Sequence, residues 1–195
     1  MTAQPDGGTR APGALTHLDE QGRARMVDVP AKPLTRRLAV ARCAVVTMVD
    51  AVAALGDTGS GMDPVEAARV AGIQGAKQTS SLIPLCHPIR IDHVSVDVEV
   101  SPHRIEITAV TAVTERTGVE MEALTACAVA GLTLVCSLLE VDPEVTMEEL
   151  TLWHKSGGRS GDWQRSEPGG LRHRQAGSPT PAATVRHDPL QQGKS

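Results

Sequence analysis

An α+β fold is what this 195-residue sequence predicts, and three observations point to it. The spacing of apolar residues switches back and forth along the chain between the strand period of two and the helix period of about 3.6. One stretch, "IDHVSVDVEV", alternates strictly: Val94, Val96, Val98 and Val100 interleave with Ser95, Asp97 and Glu99, and a second β-branched stretch follows one short turn later. A third, "EMEALTACAVAGLTLVCSLL", carries no charge from Ala123 to Leu139 and is too long to be a strand.

Each element can be justified in chain order. Residues 37–47, "RLAVARCAVVT", are β-branched in their second half and read as a strand, and "GDTGSGMDP" (56–64) reads as a loop. Asp63-Pro64 supplies an N-cap followed by proline at the first helical position, so a helix runs through "PVEAARVAGIQGAK" with Val65, Ala68, Ile73 and Ala76 apolar. The strand "IDHVSVDVEV" turns at "SPHR" into "RIEITAVTAVT", forming a hairpin. A helix over about 119–140 is apolar almost all round and is expected to be buried on several sides. Gly131 inside it costs about 1 kcal/mol against alanine, which suggests close packing at that point. "EELTLWHK" reads as a last strand.

The order strand, helix, strand, strand, helix, strand is that of a ferredoxin-like βαββαβ subunit, with both helices on one face of an antiparallel sheet. The open face needs cover, and oligomerisation is a natural way to provide it. Residues 1–13 and about 166–195 are rich in Gly, Pro and polar residues, which predicts disordered ends around a domain over 14–165.

Composition excludes several function classes. Only Trp153 and Trp163 are aromatic, so base stacking has no platform, and a net charge of −4 offers no basic surface; no nucleic-acid partner is expected. Neither a leader nor a membrane span is read, so a cytoplasmic location is the expectation. Cys43, Cys86, Cys127 and Cys136 lack C-x-x-C spacing, so neither a zinc site nor a disulfide framework is expected and the thiols read as free and buried. No metal or cofactor is implied.

Four stretches could carry chemistry. In "SLIPLCHPIR" two prolines hold the backbone out of helix around His87, which is either a site wall or a loop histidine bonded to a carbonyl. In "GVEMEALT", Glu120 and Glu122 either complement a helix N-terminus or accept donors of a heterocycle. "HKSGGRSGDW" joins three glycines to Lys155 and Arg159, as an anion-binding loop or a plain connector. "MVDVPAKPLTRR" adds Asp28, Lys32, Arg36 and Arg37, ordinarily a solvated charge cluster. Together a histidine, a carboxylate pair and basic groups without a metal cluster fit a site for a phosphorylated polar heterocycle.

"LTHLDEQGRARMVDVPAK", "ARVAGIQGAKQTSSLIPLCHP", "TGVEMEALTA" and "KSGGRSGD" resemble, in order and spacing, the molybdenum cofactor biosynthesis protein C (MoaC) family over about residues 15–163. The resemblance implies cyclic pyranopterin monophosphate synthase activity, a phosphorus–oxygen lyase reaction. In it 3′,8-cyclo-7,8-dihydroguanosine 5′-triphosphate becomes cyclic pyranopterin monophosphate and pyrophosphate. It further implies a homohexamer with active sites between subunits, and substrate-binding positions at Leu85, Cys86, His87, Met121 and Glu122. Glu120, Arg37, Lys77 and Lys155 match further polar positions of the family's pocket.

Two departures from the family pattern stand out. The family's catalytic aspartate and, three residues on, a lysine fall on Cys136 and Leu139, and the catalytic lysine before the first helix has no counterpart in "GDTGSGMDP". Glu140 is the nearest acid, but one residue turns it about 100° around the helix. The catalytic residues are therefore unassigned. Two readings follow: a synthase, or a catalytically degenerate paralogue that binds the ligand or joins an active family partner without turnover.

Overall fold

In the computed structural model, residues 21–24, 26, 33–56, 61–158 and 160–166 are described. The expected disordered ends, 1–13 and 166–195 apart from Ser166, lie outside them, as do Asp28, Lys32, Arg159 and the middle of the 56–64 loop. Strand β1 (Thr35–Val46) leads to a short helix α1 (Ala51–Gly56), then α2 (Pro64–Lys77) and one turn of α3 (Thr79–Leu82). A hairpin of β2 (His93–Ser101) and β3 (Arg104–Glu115) precedes the long helix α4 (Glu120–Leu138), and β4 (Thr146–Ser156) and β5 (Trp163–Gln164) close the domain. The sheet order is β2-β3-β1-β4-β5, with every neighbouring pair antiparallel. The first four strands have the ferredoxin-like order; the fifth strand, two residues long and added beyond β4, was not expected. The helices α1 and α3 were also not foreseen, because each is too short to show a period.

The core is built from small and branched residues because the chain has almost no aromatics. Ala39, Ala41, Cys43 and Val45 of β1 face α4, as do Ile105, Ile107, Ala109 and Val113 of β3. From α4 they meet Ala123, Ala126, Cys127, Ala130, Leu134 and Leu138. Alanines at the centre of β1 let α4 lie close to the sheet. Gly72 and Gly75 let α2 lie close to α4: a Cβ on Gly72 would sit 2.9 Å from the carbonyl oxygen of Ala126, and one on Gly75 2.8 Å from Val129. Asp63 caps α2 as expected, its Oδ1 accepting the Val65 N–H at 2.8 Å.

Helix α4 departs from expectation on one side. Leu132, Cys136 and Leu139 form an outward stripe, exposed within this chain, so Cys136 is not the buried thiol that the apolar run suggested. Those positions recur every three to four residues and therefore share one face, while Leu134 and Leu138 take the other. By length and apolar content α4 would also suffice to cross a bilayer, but half of it is buried against the strands and α2, which makes it a core helix. The sheet face away from the helices carries Arg42, whose guanidinium lies 4.4 Å over the Trp153 ring.

The α4–β4 turn is tied back to β1 by a buried carboxylate. Asp142 Oδ2 accepts from the Thr47 hydroxyl at 2.5 Å and the Met48 N–H at 2.7 Å, while Oδ1 accepts from the Glu144 N–H at 3.0 Å. These donors, the Thr47 hydroxyl first, hold the carboxyl below its ordinary range.

Candidate functional site

One end of the sheet gathers residues from all four sequence stretches. The segment 83–88 leaves α3 through extended Ile83 and passes Pro84 and Pro88. Between them Leu85 adopts φ 66°, a left-handed conformation in a non-glycine residue. Such geometry is sparsely populated, costs on the order of 1–2 kcal/mol and persists only where the surroundings impose it. In that segment Cys86 and His87 are both half-buried, and Cys86 lies within electrostatic reach of Glu122 at the start of α4.

Helix α4 begins at Val119, which offers no side-chain cap. Glu120 and Glu122 lie two residues apart and point to different surroundings. Glu120 Oε1 accepts from Lys155 Nζ at 3.4 Å, and Lys155 also donates to Ser160 Oγ at 3.1 Å. Glu122 is only 4% exposed. Burial pushes its carboxyl up to about 7; its own backbone N–H opposes the rise, and the negative charge of Glu120 adds to it. Cys86 responds in turn: burial, then the nearby Glu122 charge, raises its thiol. The two side chains are within electrostatic reach of each other, and at neutral pH Cys86 is a thiol rather than a thiolate.

The glycine loop after β4 comes to the same corner. Gly157, Gly158 and Gly161 have φ of 83°, 76° and 65°. A side chain on Gly157 would overlap the Arg36 carbonyl, and one on Gly158 would overlap the Arg37 guanidinium, so both positions require glycine. Arg37 donates from Nε to Glu115 O at 3.1 Å and from Nη2 to Arg116 O at 2.9 Å, bracing the turn that leads into α4. The loop is less open to an anion than its composition suggests. The Gly157 N–H is taken by Asp162 Oδ1 at 3.0 Å, and the Gly161 N–H points to Gly158 O at 3.3 Å. Asp162 and Ser160 thus shape the site; only their place in the glycine-rich stretch hinted at this.

Cys86, Glu122, Glu120, Lys155, Ser160 and Arg37 are brought together, with Met121 half-exposed at the rim. Lys77 lines a different cleft. At the end of α2 it lines a cleft of about 380 Å³ with Ile73, Ile89, Ile91, Asp92, His93 and Val94, none of which belongs to that cluster. Cys136 and Leu139 are at the far end of α4, roughly 21 Å and 26 Å from Glu122 at 1.5 Å per residue, so one small ligand cannot touch both ends within one chain. Among the described residues no group of three or more His, Cys, Asp or Glu side chains is placed to hold a metal ion.

The corner can do two things chemically. Lys155 and Arg37 supply positive charge beside glycine-rich backbone, and the carboxyl pair can meet both donors and acceptors of a heterocycle, because a protonated carboxyl donates while an ionised one only accepts.

Known proteins resemble the chain across this whole unit. The profile of the MoaC family matches residues 26–158. A protein of Streptomyces coelicolor named cyclic pyranopterin monophosphate synthase is 46% identical over 167 residues, covering 84% of this chain and 97% of its own length. Two Mycobacterium bovis proteins, named cyclic pyranopterin monophosphate synthase 2 and 1, are each 48% identical and cover 78% of this chain, over 154 and 155 residues respectively. The match covers 92% and 91% of those two relatives.

Proposed function

The chain belongs to the MoaC family, and from that premise we propose that it acts in molybdenum cofactor biosynthesis as a cyclic pyranopterin monophosphate synthase. The substrate is 3′,8-cyclo-7,8-dihydroguanosine 5′-triphosphate, and the products are cyclic pyranopterin monophosphate and pyrophosphate. The observation that carries this reading is the meeting of Cys86 and Glu122 with the Glu120–Lys155–Ser160 chain at one corner of the sheet. Leu85, Cys86, His87, Met121 and Glu122 bind the heterocycle. Lys155, Arg37 and Lys77 meet the triphosphate, and Glu120 keeps Lys155 in place.

The substrate is bound before it reacts. The strained Leu85 turn and the backbone bonds of Arg37 hold the binding groups ready, so that less ordering is needed at the moment of binding. The ring then rearranges, and a ribose oxygen attacks the α-phosphorus with pyrophosphate leaving. Positive groups fixed at that phosphorus stabilise the charge that develops there.

Lys77 lies outside the corner cluster, and Glu122 and Cys136 lie at opposite ends of α4. Both placements support a site completed by a second copy of the chain; the family likeness supports a homohexamer, in the cytoplasm, as the form in which it works.

A second reading is favoured by one observation. At the far end of α4 the positions that match the family's aspartate and lysine are exposed Cys136 and Leu139, which supply neither a carboxylate nor an ammonium group. On this reading the chain binds the nucleotide, or pairs with a complete family member, without turnover.

One experiment separates the two. The purified protein is given the cyclic dihydroguanosine triphosphate, and released pyrophosphate and bound nucleotide are both measured. Pyrophosphate released over many turnovers is expected. Tight binding without release would establish the binding subunit, and Cys136→Asp with Leu139→Lys and a lysine in the loop before α2 would then restore turnover only in combination. Neither binding nor release would overturn the assignment.

A further inference from the structure

Lys155 reaches the corner from near the end of β4, where it pairs with Trp163 of β5. The chain between these two strands folds back, so the far limb of the same hairpin returns to the lysine. Three bonds lace it. Lys155 Nζ donates to Ser160 Oγ at 3.1 Å, the Gly161 N–H to Gly158 O at 3.3 Å, and the Gly157 N–H to Asp162 Oδ1 at 3.0 Å. At the base of the hairpin the Arg165 N–H donates to Trp153 O at 2.8 Å and Arg165 Nε to Leu152 O at 2.9 Å. Resting on the reading above for what Lys155 meets, we propose that Asp162 is a positioning residue. By accepting the Gly157 N–H it closes the hairpin and holds Ser160, and through it Lys155, against the substrate's phosphates.

The hairpin needs such a clasp. Gly157, Gly158 and Gly161 all have positive φ, and glycine backbone is the freest of any residue, so packing of their own side chains cannot select one loop shape. Strand β5 is only two residues long and adds little pairing. The first limb is placed by contact, with Gly157 against the Arg36 carbonyl and Gly158 against the Arg37 guanidinium. The second limb, which carries Ser160, is joined to the first by the Asp162 and Gly161 bonds.

Asp162 acts as an acceptor and not as a charge. It is exposed, so water screens its carboxylate, and the ion pair made by Lys155 goes to Glu120. An amide oxygen at the same place can accept the same N–H.

The test uses the full chain and the cyclic dihydroguanosine triphosphate; circular dichroism confirms folding of each variant. Asp162→Ala should raise KM about tenfold, roughly what one hydrogen bond to a charged group is worth, and leave kcat within about threefold. Asp162→Asn keeps the acceptor and should restore KM to within about threefold of the wild type. In a Lys155→Met background Asp162→Ala should have no further effect, because a residue that acts through Lys155 has nothing left to position. Asp162→Asn as impaired as Asp162→Ala would show that the charge matters. A lowered KM in Asp162→Ala would show a carboxylate that competes with the phosphates. An effect undiminished by Lys155→Met would place its action elsewhere. Each of the three overturns the proposal.

A second measurement needs no nucleotide. The chain has four lysines, Lys32, Lys77, Lys155 and Lys194, so acylation by acetic anhydride can be followed at each by mass spectrometry. Lys155 should react about two- to tenfold faster in Asp162→Ala than in the wild type, and at the wild-type rate in Asp162→Asn. Lys77, in its own cleft, should react alike in all three. Equal Lys155 rates in the wild type and Asp162→Ala would refute the positioning role whatever the chain binds. The faster rate in a chain that neither binds nor turns over the nucleotide would uphold that role and sink the synthase reading alone.

Discussion

At the scale of single residues, Glu122 couples the site to stability. Its carboxyl titrates at about 7 in the folded chain against 4.5 in its ordinary state. Between those values the folded chain holds the proton and the unfolded chain releases it, so stability falls as pH rises. The loss begins near the lower value, is complete above the upper one and is absent in acid. Glu122→Gln removes the ionising group and should therefore gain on the wild type by about 2–3 kcal/mol between pH 5 and pH 8. Urea midpoints at the two pH values measure it; a constant difference would show that burial does not tax this carboxylate. Such a trade, stability given up at neutral pH for a carboxyl poised there, is what a working site looks like. In the sequence Glu122 was visible as a candidate, but its contrast with Glu120 was not. Two residues of helix turn them about 200° apart, and only the packing of 83–88 shows which side is dry.

At the scale of elements, glycine positions decide how closely helices pack. Gly72 of α2 faces the backbone of Ala126 and the Val96 side chain, 3.0 Å from its would-be Cβ. Neither can move without shifting α4 or β2. Gly131 of α4 is different: a Cβ there would meet the Met147 thioether, the far end of a flexible side chain. Gly72→Ala should thus destabilise by about 1–3 kcal/mol through overpacking, even after the gain in helix propensity. Gly131→Ala should be neutral or stabilising by up to about 1 kcal/mol. Thermal melts of the two variants give the comparison, and equal losses would mean that Met147 is as rigid as backbone. The sequence marked Gly131 as a place of close packing, yet the tighter contacts lie at Gly72 and Gly75, inside a helix whose glycines carry no outward sign of their partners.

At the scale of the whole domain, two surfaces have no partner among the described residues. One is the sheet face that carries Arg42 and Trp153; the other is the stripe of Leu132, Cys136 and Leu139 on α4. Leu132 is 57% exposed and Leu139 51%, more apolar surface than a lone subunit readily leaves open along one helix. Light scattering on the intact protein should therefore report an assembly of several chains, and Leu132→Glu should shift it to smaller species, because a charge in an apolar interface goes unpaired. A wild-type monomer at micromolar concentration would exclude a site shared between copies.

The sequence by itself determined the order of the main elements. Strict alternation in β2, the Asp63-Pro64 start of α2 and the charge-free length of α4 are local signals, and local signals survive without knowledge of the fold. It also held the family likeness, because the segment 83–88, the turn into α4 and the glycine loop are contiguous stretches. Tertiary structure alone decided which residues meet: Cys86 beside Glu122, Lys155 across from Glu120, Arg37 under Gly158, Lys77 in a cleft of its own and Cys136 on an open face. The reason is physical. A period or a turn is set by residues a few positions apart, whereas burial and charge at a site depend on groups brought together across the sheet, and no spacing along one chain encodes that distance.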